Sequence, residues 1–548
     1  MPATLDGSTW IVGDIRVDGQ SELIASLRRC GSGVPPDATD AELVLHAYRA
    51  WGESCVDHLL GDFAFALWDA RLRKLFCARD QMGIRPFYYA RLRAQFVFSN
   101  AIDCLRQYDD ISGDLDELAI ADFLLFECNL DPGSTTFASI KRIPPAHTLT
   151  IAHDRWQVRR YWTLPVDEPV YYRWSSDYVD RFHELLATSV RDRLPIDHVA
   201  VFMSGGLDSS TLAAEARAQL PNADGVTAFT YVHDRLIPDE ERGYASLVAE
   251  RLQIPIRFWI VGDEYSEPAD FRPAVCCPEP VAEPFSYERD VERHREMAAR
   301  ARIALYGEGP DNVLHYEWSP YLRYLAAKRR WGRMLMDVGR HVLVHRRVPL
   351  LPTVPAMIRW RQYVKQWQIP FPGWLNPDFV HRHDLRARWD DWNAGGPLVH
   401  PVRPAGYRSM QNPIWPRMFE RLDAGRTRSP LDVRFPYLDL RLMRFLLALP
   451  ALPWCRNKFL LRRWGKGVLP PATLARPKTT LRVYPGFAQT KGVVAHVSAK
   501  RAALLEPFVD STHVRASSTY SEFEYTIAKR PSDLGWWLEF GAGSGGGA

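Results

Sequence analysis

The stretch Val199-Ala-Val-Phe-Met-Ser204-Gly205-Gly206-Leu207-Asp208-Ser209-Ser210 constrains this chain more than any other. An apolar run, Val199 to Met203, reads as a buried strand, a glycine pair forces a turn, and Ser209 to Gln219 reads as helix. Two glycines let the backbone approach an anion closely and reach positive φ. Free N–H groups at the helix start and the hydroxyls of Ser204, Ser209 and Ser210 can then wrap phosphate oxygens. The lysine of GxxxxGK[ST] is missing, which disfavours an ATPase that grips a γ-phosphate. Asp208 in the turn suggests a magnesium ligand instead.

The surrounding pattern predicts what holds this turn. Tyr178, Phe182, Leu185, Leu186, Val190 and Leu194 recur with helical spacing ahead of the strand. Strands are predicted at Val226 to Val232, Ile256 to Val261 and Ile303 to Tyr306, with a helix at Tyr244 to Leu252. Strands separated by helix-length spans imply an open parallel α/β sheet. Residues 10 to 100 read differently, as short β runs (Trp10 to Val12, Lys74 to Ala78, Phe87 to Ala90, Gln95 to Ser99) and one helix, Ala41 to Trp51. Thr148 to Ile151 and Trp156 to Tyr161 continue that β-rich part, and Leu164 to Pro169 reads as a linker.

Composition closes other routes. With 46% hydrophobic and 24% charged residues the 548-residue chain is of ordinary globular make-up, which excludes global disorder and collagen-like folds. A net charge of +4 does not mark a nucleic-acid binder. The eight cysteines show no metal-ligand spacing and imply a reducing, cytoplasmic setting. No signal peptide or transmembrane segment is expected. From Arg323 to Lys365 eleven Lys or Arg accompany one acid, Asp337, interleaved with Trp331, Trp360 and Tyr363. That is either a solvated face or a docking surface for peptide, partner or membrane. The tail after Phe540, with Gly541, Gly543 and Gly546, is expected to be flexible.

SGGLDSS resembles the pyrophosphate-binding loop of the ATP pyrophosphatases, and the sequence around it resembles the class B asparagine synthetases and their relatives. Gly61-Asp-Phe-Ala-Phe-Ala-Leu-Trp-Asp69 and Ala78-Arg-Asp-Gln-Met-Gly-Ile-Arg-Pro-Phe-Tyr-Tyr89 are similar to that family's glutaminase-like domain. Gly307-Glu-Gly-Pro-Asp311-Asn312 resembles its second acidic loop, and Arg434-Phe-Pro-Tyr-Leu-Asp439 its RxPFLD segment. Lys458-Phe-Leu-Leu-Arg462 and Arg476-Pro-Lys478 resemble its two lysine motifs. The implied fold is α/β: an Ntn-type αββα layered glutaminase-like domain over residues 1–165, then an ATP-pyrophosphatase parallel-sheet domain with helical additions over 170–540, and a tail at 541–548.

The resemblance also implies roles. Asp208 and Asp311 would hold Mg²⁺ against ATP. Met203, Ser204, Gly205, Gly206, Asp208, Ser209, Ser210, Tyr231, Tyr306, Gly307 and Lys458 would bind the nucleotide. Glu308 would bind or deprotonate the attacking amine, Lys478 would stabilise the adenylate and the oxyanion, and Asp432 is carried as a third catalytic candidate. Asp432 stands where asparagine synthetases have Glu, and Asn312 where they usually have an acid.

An active glutaminase of this class needs cysteine immediately after the initiator Met, and here Pro2 stands there, so the first domain is expected to be catalytically silent. Relatives with a silent first domain include β-lactam synthetases, usually with tyrosine at the position of Glu308, and lasso-peptide cyclases. GEGPDN, Ile11-Val-Gly-Asp-Ile-Arg-Val-Asp-Gly19 and Ala41 to Trp51 resemble the cyclases. The expectation is therefore a cytoplasmic lasso-peptide cyclase, with a precursor peptide as substrate and a leader-binding protein and leader peptidase as partners. An ammonia-dependent asparagine synthetase and a small-molecule amide synthetase are the alternatives.

Overall fold

The computed structural model describes residues 2–93, 95–153, 155–194, 197–262, 264–265, 272–349, 370–397, 399–478, 483–490, 497–510 and 520–542. The first part holds two antiparallel sheets. β1 (Ala3–Thr4), β2 (Thr9–Asp18), β3 (Leu60–Asp69), β4 (Lys74–Arg79), β8 (His147–Ala152) and β9 (Arg155–Arg160) form one in that order; β6 (Gln95–Ser99), β5 (Tyr88–Leu92) and β7 (Ile140–Arg142) form the other.

Alternation along β3 decides the layering. Phe63, Phe65 and Leu67 pack with Leu23 and Leu27 of helix Gln20–Arg29 and with Leu43 and Val44 of helix Asp40–Trp51. Ala64 and Ala66 face the opposite way, with Phe87, Ile143 and Leu149 between the sheets. Beyond the small sheet, Tyr88, Ala90 and Ile140 pack with Ile120 and Leu124 of helix Glu117–Phe126. The order is helix, sheet, sheet, helix. β2 runs longer than the Trp10 to Val12 expected from sequence, and β3 was not among the strands named there; an antiparallel pairing of all ten residues, Thr9↔Asp69 to Asp18↔Leu60, supplies a partner along their whole length.

The second part is built on a five-stranded sheet, all parallel, in the order β12 (Ile256–Ile260), β11 (Val226–Val232), β10 (Val199–Phe202), β13 (Ile303–Leu305), β14 (Asp432–Arg434). The chain winds outward from β10 through β11 and β12, then returns to β13 on the other side. β10 and β13 are therefore neighbours whose connections leave in opposite directions, the place where such sheets open a crevice at their carboxyl ends.

The two parts are not joined by a loose linker. Leu164 is buried with its carbonyl accepting from the Tyr407 hydroxyl (2.6 Å), Asp167 takes a bidentate contact from Arg444 (2.9 Å each), and Val170 N–H donates to Ala448 (2.8 Å). The carboxy-terminal helix Arg530–Phe540 packs Leu534, Trp536 and Trp537 into the same cluster as Tyr88 and Leu124, so the end of the chain belongs to the core of its first part. Gly541 and Ala542, the first residues of the tail expected to be flexible, are held: their carbonyls accept from Arg106 (3.2 and 2.5 Å). Gly543 and Gly546, like Trp360 and Tyr363 of the basic segment, lie outside the described residues. Among those described, no helix is long and apolar enough to cross a membrane.

A buried ionic lattice crosses the junction. Arg193 binds Asp18 of β2 (2.9 Å) and Asp439 (3.0 Å), Arg441 binds Asp439 (2.7 Å) and Asp192 (2.6 Å), and Arg16 binds Asp62 (2.5 Å). Asp432 belongs here, and this corrects its assignment as a catalytic residue. It opens β14 at the amino end of the sheet, where Arg85 (2.6 Å) and Arg434 (2.6 Å) hold its carboxylate. Despite burial these two guanidinium groups keep its pKa down, at about 2.

Removing one partner of a buried pair leaves an uncompensated charge and costs about 3–5 kcal/mol. We expect Arg193→Met, which leaves Asp18 to Arg16 and Asp439 to Arg441 and removes the cation that joins the two, to lower unfolding stability by about 3 kcal/mol in urea titration. A loss below about 1 kcal/mol would show that the lattice does not hold the two parts together.

Candidate functional site

The crevice at the β10/β13 switch point opens into a cleft of about 540 Å³. Its floor is the glycine turn. Met203 N–H donates to the Phe229 carbonyl (2.8 Å) and the Thr230 hydroxyl to the Met203 carbonyl (2.5 Å), so β10 and β11 stay paired up to the turn. Gly205 then takes φ +63°, and a Cβ there would lie 2.6 Å from Ala245 N, at the first turn and a half of helix Glu241–Leu252. Only glycine meets both conditions. Ser209 Oγ accepts from Ser204 N–H (3.1 Å) and lies 3.2 Å from Ser204 Oγ, which holds the turn open toward the start of helix Leu207–Gln219.

The second acidic loop follows β13. Glu308 and Asp311 reach the same cleft as Asp208. Lys458 Nζ sits between the carboxylates of Asp208 and Asp311, at 2.7 Å from the latter, and Lys478 Nζ lies 2.9 Å from the same Asp311 oxygen. Asp208 Oδ1 is buried and has no hydrogen-bond partner among the described residues.

The electrostatics separate three acids. Burial, with Asp311 adding to it, pushes Asp208 up to about 6 against the pull of Lys458. Glu308 is raised by burial and then by the charges of Asp311 and Asp208. For Asp311 burial acts in the same sense, but Lys458 and Lys478 outweigh it and hold the carboxyl below its ordinary value. Two carboxylates bridged by an ammonium, one of them with an orphaned buried oxygen, form a hard-oxygen donor set that suits Mg²⁺ shared with phosphate.

Apolar and aromatic walls complete the cleft. Phe202, Phe229, Tyr231, Tyr306, Leu314 and Tyr316 are among the residues that line it. The Tyr316 hydroxyl lies 3.0 Å from His341 Nε2, which ties Tyr316 to helix Trp331–His345. This helix belongs to the basic segment, of which residues 323–349 are described, and it leaves Trp331, Leu335 and Leu343 exposed.

Of the residues named from sequence, Met203, Ser204, Gly206, Asp208, Ser209, Tyr231, Tyr306, Gly307, Glu308, Asp311, Lys458 and Lys478 line this one cleft. Gly205 stands behind it, against Tyr244 and Ala245. Ser210 points into the core, fully buried, with its hydroxyl unpartnered among the described residues, so it is corrected as a phosphate contact. Asp432 is at the far end of the sheet. Sequence reasoning missed the Glu241–Arg476 ion pair (2.9 and 3.2 Å), with Arg476 4.2 Å over the Tyr244 ring. It also missed the aromatic wall around Tyr316. The only signal for the first was that Arg476 stands two residues before Lys478.

Such a cleft, at the switch point of a parallel sheet and packed against a four-layer domain, defines a two-part α/β protein with a site for a phosphate-bearing ligand. Residues 8–162 match the glutamine amidotransferase domain family and residues 181–527 the asparagine synthase family. The second match covers well over half of the chain, which belongs to the asparagine synthase family. Glutamine-hydrolysing asparagine synthetase 3 of Bacillus subtilis (strain 168) is 36% identical over 197 residues, 36% of this chain and 32% of that protein. Asparagine synthetase 2 of the same organism is 26% identical over 329 residues, 56% and 42% of the two chains. Amidase chyE of Penicillium rubens is 29% identical over 190 residues, 32% and 26%. The matches span less than half the length of each of these relatives.

A carboxyl whose folded pKa lies above its unfolded value contributes stability that is complete below the unfolded pKa and lost as pH rises through the folded one. For Asp208 that window runs from 3.8 to about 6. We therefore expect the stability of the wild type, measured against Asp208→Asn by urea unfolding, to decline between pH 4 and pH 7 by on the order of 3 kcal/mol. A difference that is flat with pH would contradict the assignment.

Proposed function

We propose that this chain is an ATP-dependent, AMP-forming amide ligase and, within that class, a lasso-peptide cyclase. The observation that carries the class is the convergence of Asp208, Asp311, Lys458 and Lys478 at the mouth of the switch-point crevice. Asp208 and Asp311 would hold Mg²⁺, which supplies charge neutralisation as pyrophosphate departs. Ser204, Ser209 and the helix start at Leu207 would cradle phosphate. Tyr231, Tyr306 and Phe229 offer an apolar seat for the base.

In the proposed reaction a side-chain carboxylate oxygen of the precursor peptide attacks the α-phosphorus of ATP. An O–P bond forms, the α–β anhydride breaks, and pyrophosphate leaves with the electron pair. The peptide's α-amine then attacks the acyl carbon; a C–N bond forms, the C–O bond to AMP breaks, and AMP leaves. Lys478 faces the developing oxyanion. Glu308, its carboxyl raised by burial and by two neighbouring carboxylates, takes the amine proton.

Three observations support the finer reading. The aromatic lining of the cleft, with Tyr316 and His315, suits a peptide. GEGPDN resembles the cyclase form. In the first part of the chain Cys55 and Cys128 are buried with thiols pushed up to about 12 and 11, and Cys77 is also raised by burial, the opposite of an activated nucleophile. A precursor peptide, a leader-binding protein and a leader peptidase are the partners this reading requires. The names of the relatives favour a second reading, asparagine from aspartate, ATP and ammonium.

The protein with ATP, Mg²⁺, a precursor peptide and its leader peptidase should give a product lighter by one water together with AMP, read by mass spectrometry. Asparagine formation without any peptide product would favour the second reading. Asp208→Ala should abolish AMP release, and Lys478→Met should lower kcat by about 10²–10³-fold with a smaller change in KM.

A further inference from the structure

The two lysines that meet at Asp311 come from separate loops twenty residues apart, and neither loop is held by an ordinary element. Asn457 and Lys458 both adopt left-handed backbone, φ +50° and +52°, just before helix Phe459–Trp464. Two successive non-glycine residues in that region cost energy and persist only where the surroundings over-determine them. Lys478 lies beyond the short helix Pro471–Ala475, after Arg476 and Pro477.

One side chain touches both loops. Arg462 Nε donates to the Asn457 carbonyl (2.6 Å), one terminal nitrogen donates to the Leu474 carbonyl, and the other to the Arg476 carbonyl (2.7 Å). Its whole fork is spent on backbone oxygens, it pairs with no carboxylate among the described residues, and it lines the cleft. An ion pair would have been the ordinary use of a half-buried arginine. Three carbonyls from two loops are instead gathered on one rigid, planar cation, whose fixed geometry sets the distance between them.

We propose that Arg462 is the positioning residue for the lysine pair: it locks the strained Asn457-Lys458 turn and the Leu474 to Arg476 turn into one unit, so that both ammonium groups arrive at Asp311. This deepens the ligase reading and rests on it for the use to which the lysines are put. The clamp itself does not depend on that reading. Lysine cannot replace this arginine, because one point charge cannot meet three divergent carbonyls.

The test is hydrogen–deuterium exchange on the full chain, comparing wild type with Arg462→Lys and Arg462→Met. The informative amides are Lys458 N–H, bonded to the Cys455 carbonyl (3.2 Å), and Leu474 and Arg476 N–H, bonded to the Pro470 (3.1 Å) and Ala472 (2.9 Å) carbonyls. Expected is a tenfold or greater rise in exchange in both turns together, for both variants. For Arg462→Met, about 50 mM guanidinium chloride, but not sodium chloride, should reverse it. Unchanged exchange, a rise in one turn only, or a rise spread over the whole second part of the chain would overturn the clamp.

A parallel arm measures binding of Mg²⁺ with α,β-methylene-ATP. Wild type should bind, and Arg462→Lys should bind at least tenfold more weakly. Failure of the wild type to bind would sink the ligase reading while the exchange data still decide the clamp. Equal binding by both proteins would overturn the proposed purpose of the clamp.

Discussion

The arrangement of the cleft depends on a single ammonium group. Asp208 and Asp311 belong to different loops on adjacent strands, and in a half-buried site two facing carboxylates repel strongly. Lys458 placed between them turns that repulsion into attraction on both sides. Its pKa is raised accordingly: burial works against the ammonium, and the two carboxylates more than offset it. The site thus carries a cation of its own between the two carboxylates.

That solution demands a backbone of unusual shape. Lys458 reaches the pair only from a left-handed turn, and Lys478 only from a proline-bounded one. Polar contacts to main-chain oxygens hold both, beside the core into which Trp454, Leu460 and Leu461 pack. Around them the Glu241–Arg476 pair and the stacking of Arg476 on Tyr244 tie the second lysine turn to the helix against which Gly205 also packs. The phosphate-type turn and the lysine turn therefore share one wall, and a shift of helix Glu241–Leu252 would move both.

Legibility in the sequence followed locality. The glycine turn, the helix after it and the parallel strands were readable because each is encoded in a continuous apolar or periodic run. β2 was underestimated because Gly13, Asp14 and Arg16 break the apolar alternation, and β3 was not named; the strand state of both comes from pairing with a distant partner. β14 is only three residues long and exists because it completes the sheet edge beside β13. Asp208 was read from the glycine turn itself; Glu308, Asp311 and the two lysines were given their roles through motif resemblance. Asp432 was misplaced for the same reason: proximity in sequence to Arg434-Phe-Pro-Tyr-Leu-Asp439 put it with the site, whereas strand polarity puts it at the other end. Arg462 stood at the end of a quoted motif without a role, and Tyr316 carried no local signal, since what defines both is contact between distant segments.

Strand polarity also explains why the first part of the chain bears on the site at all. In the Ala78–Tyr89 segment most polar groups are turned inward: Arg79 donates to the carbonyls of Arg85, Gly83 and Ile143, and Asp80 accepts from the N–H groups of Met82, Ile84 and Arg85. The side chain of Arg85 is the exception, and it reaches Asp432 at the entry of β14. At the exit of β14, Arg434 donates to the Arg193 carbonyl (2.8 Å), Ser189 to the Pro436 carbonyl (2.6 Å), and Asp439 is bound by Arg193. Between these anchors the Tyr437 hydroxyl donates to the Asp208 carbonyl (3.1 Å), and the Tyr437 side chain packs against Gly309, whose φ of +133° no side chain would accept at that distance. One short segment thus touches both acidic loops while both its ends are gripped through the junction. Two sequence blocks that look unrelated, Ala78–Tyr89 and Arg434–Asp439, are the two halves of one support. The layered domain therefore supports the cleft: through Arg85 it holds the entry of β14, and the segment that follows β14 touches both acidic loops.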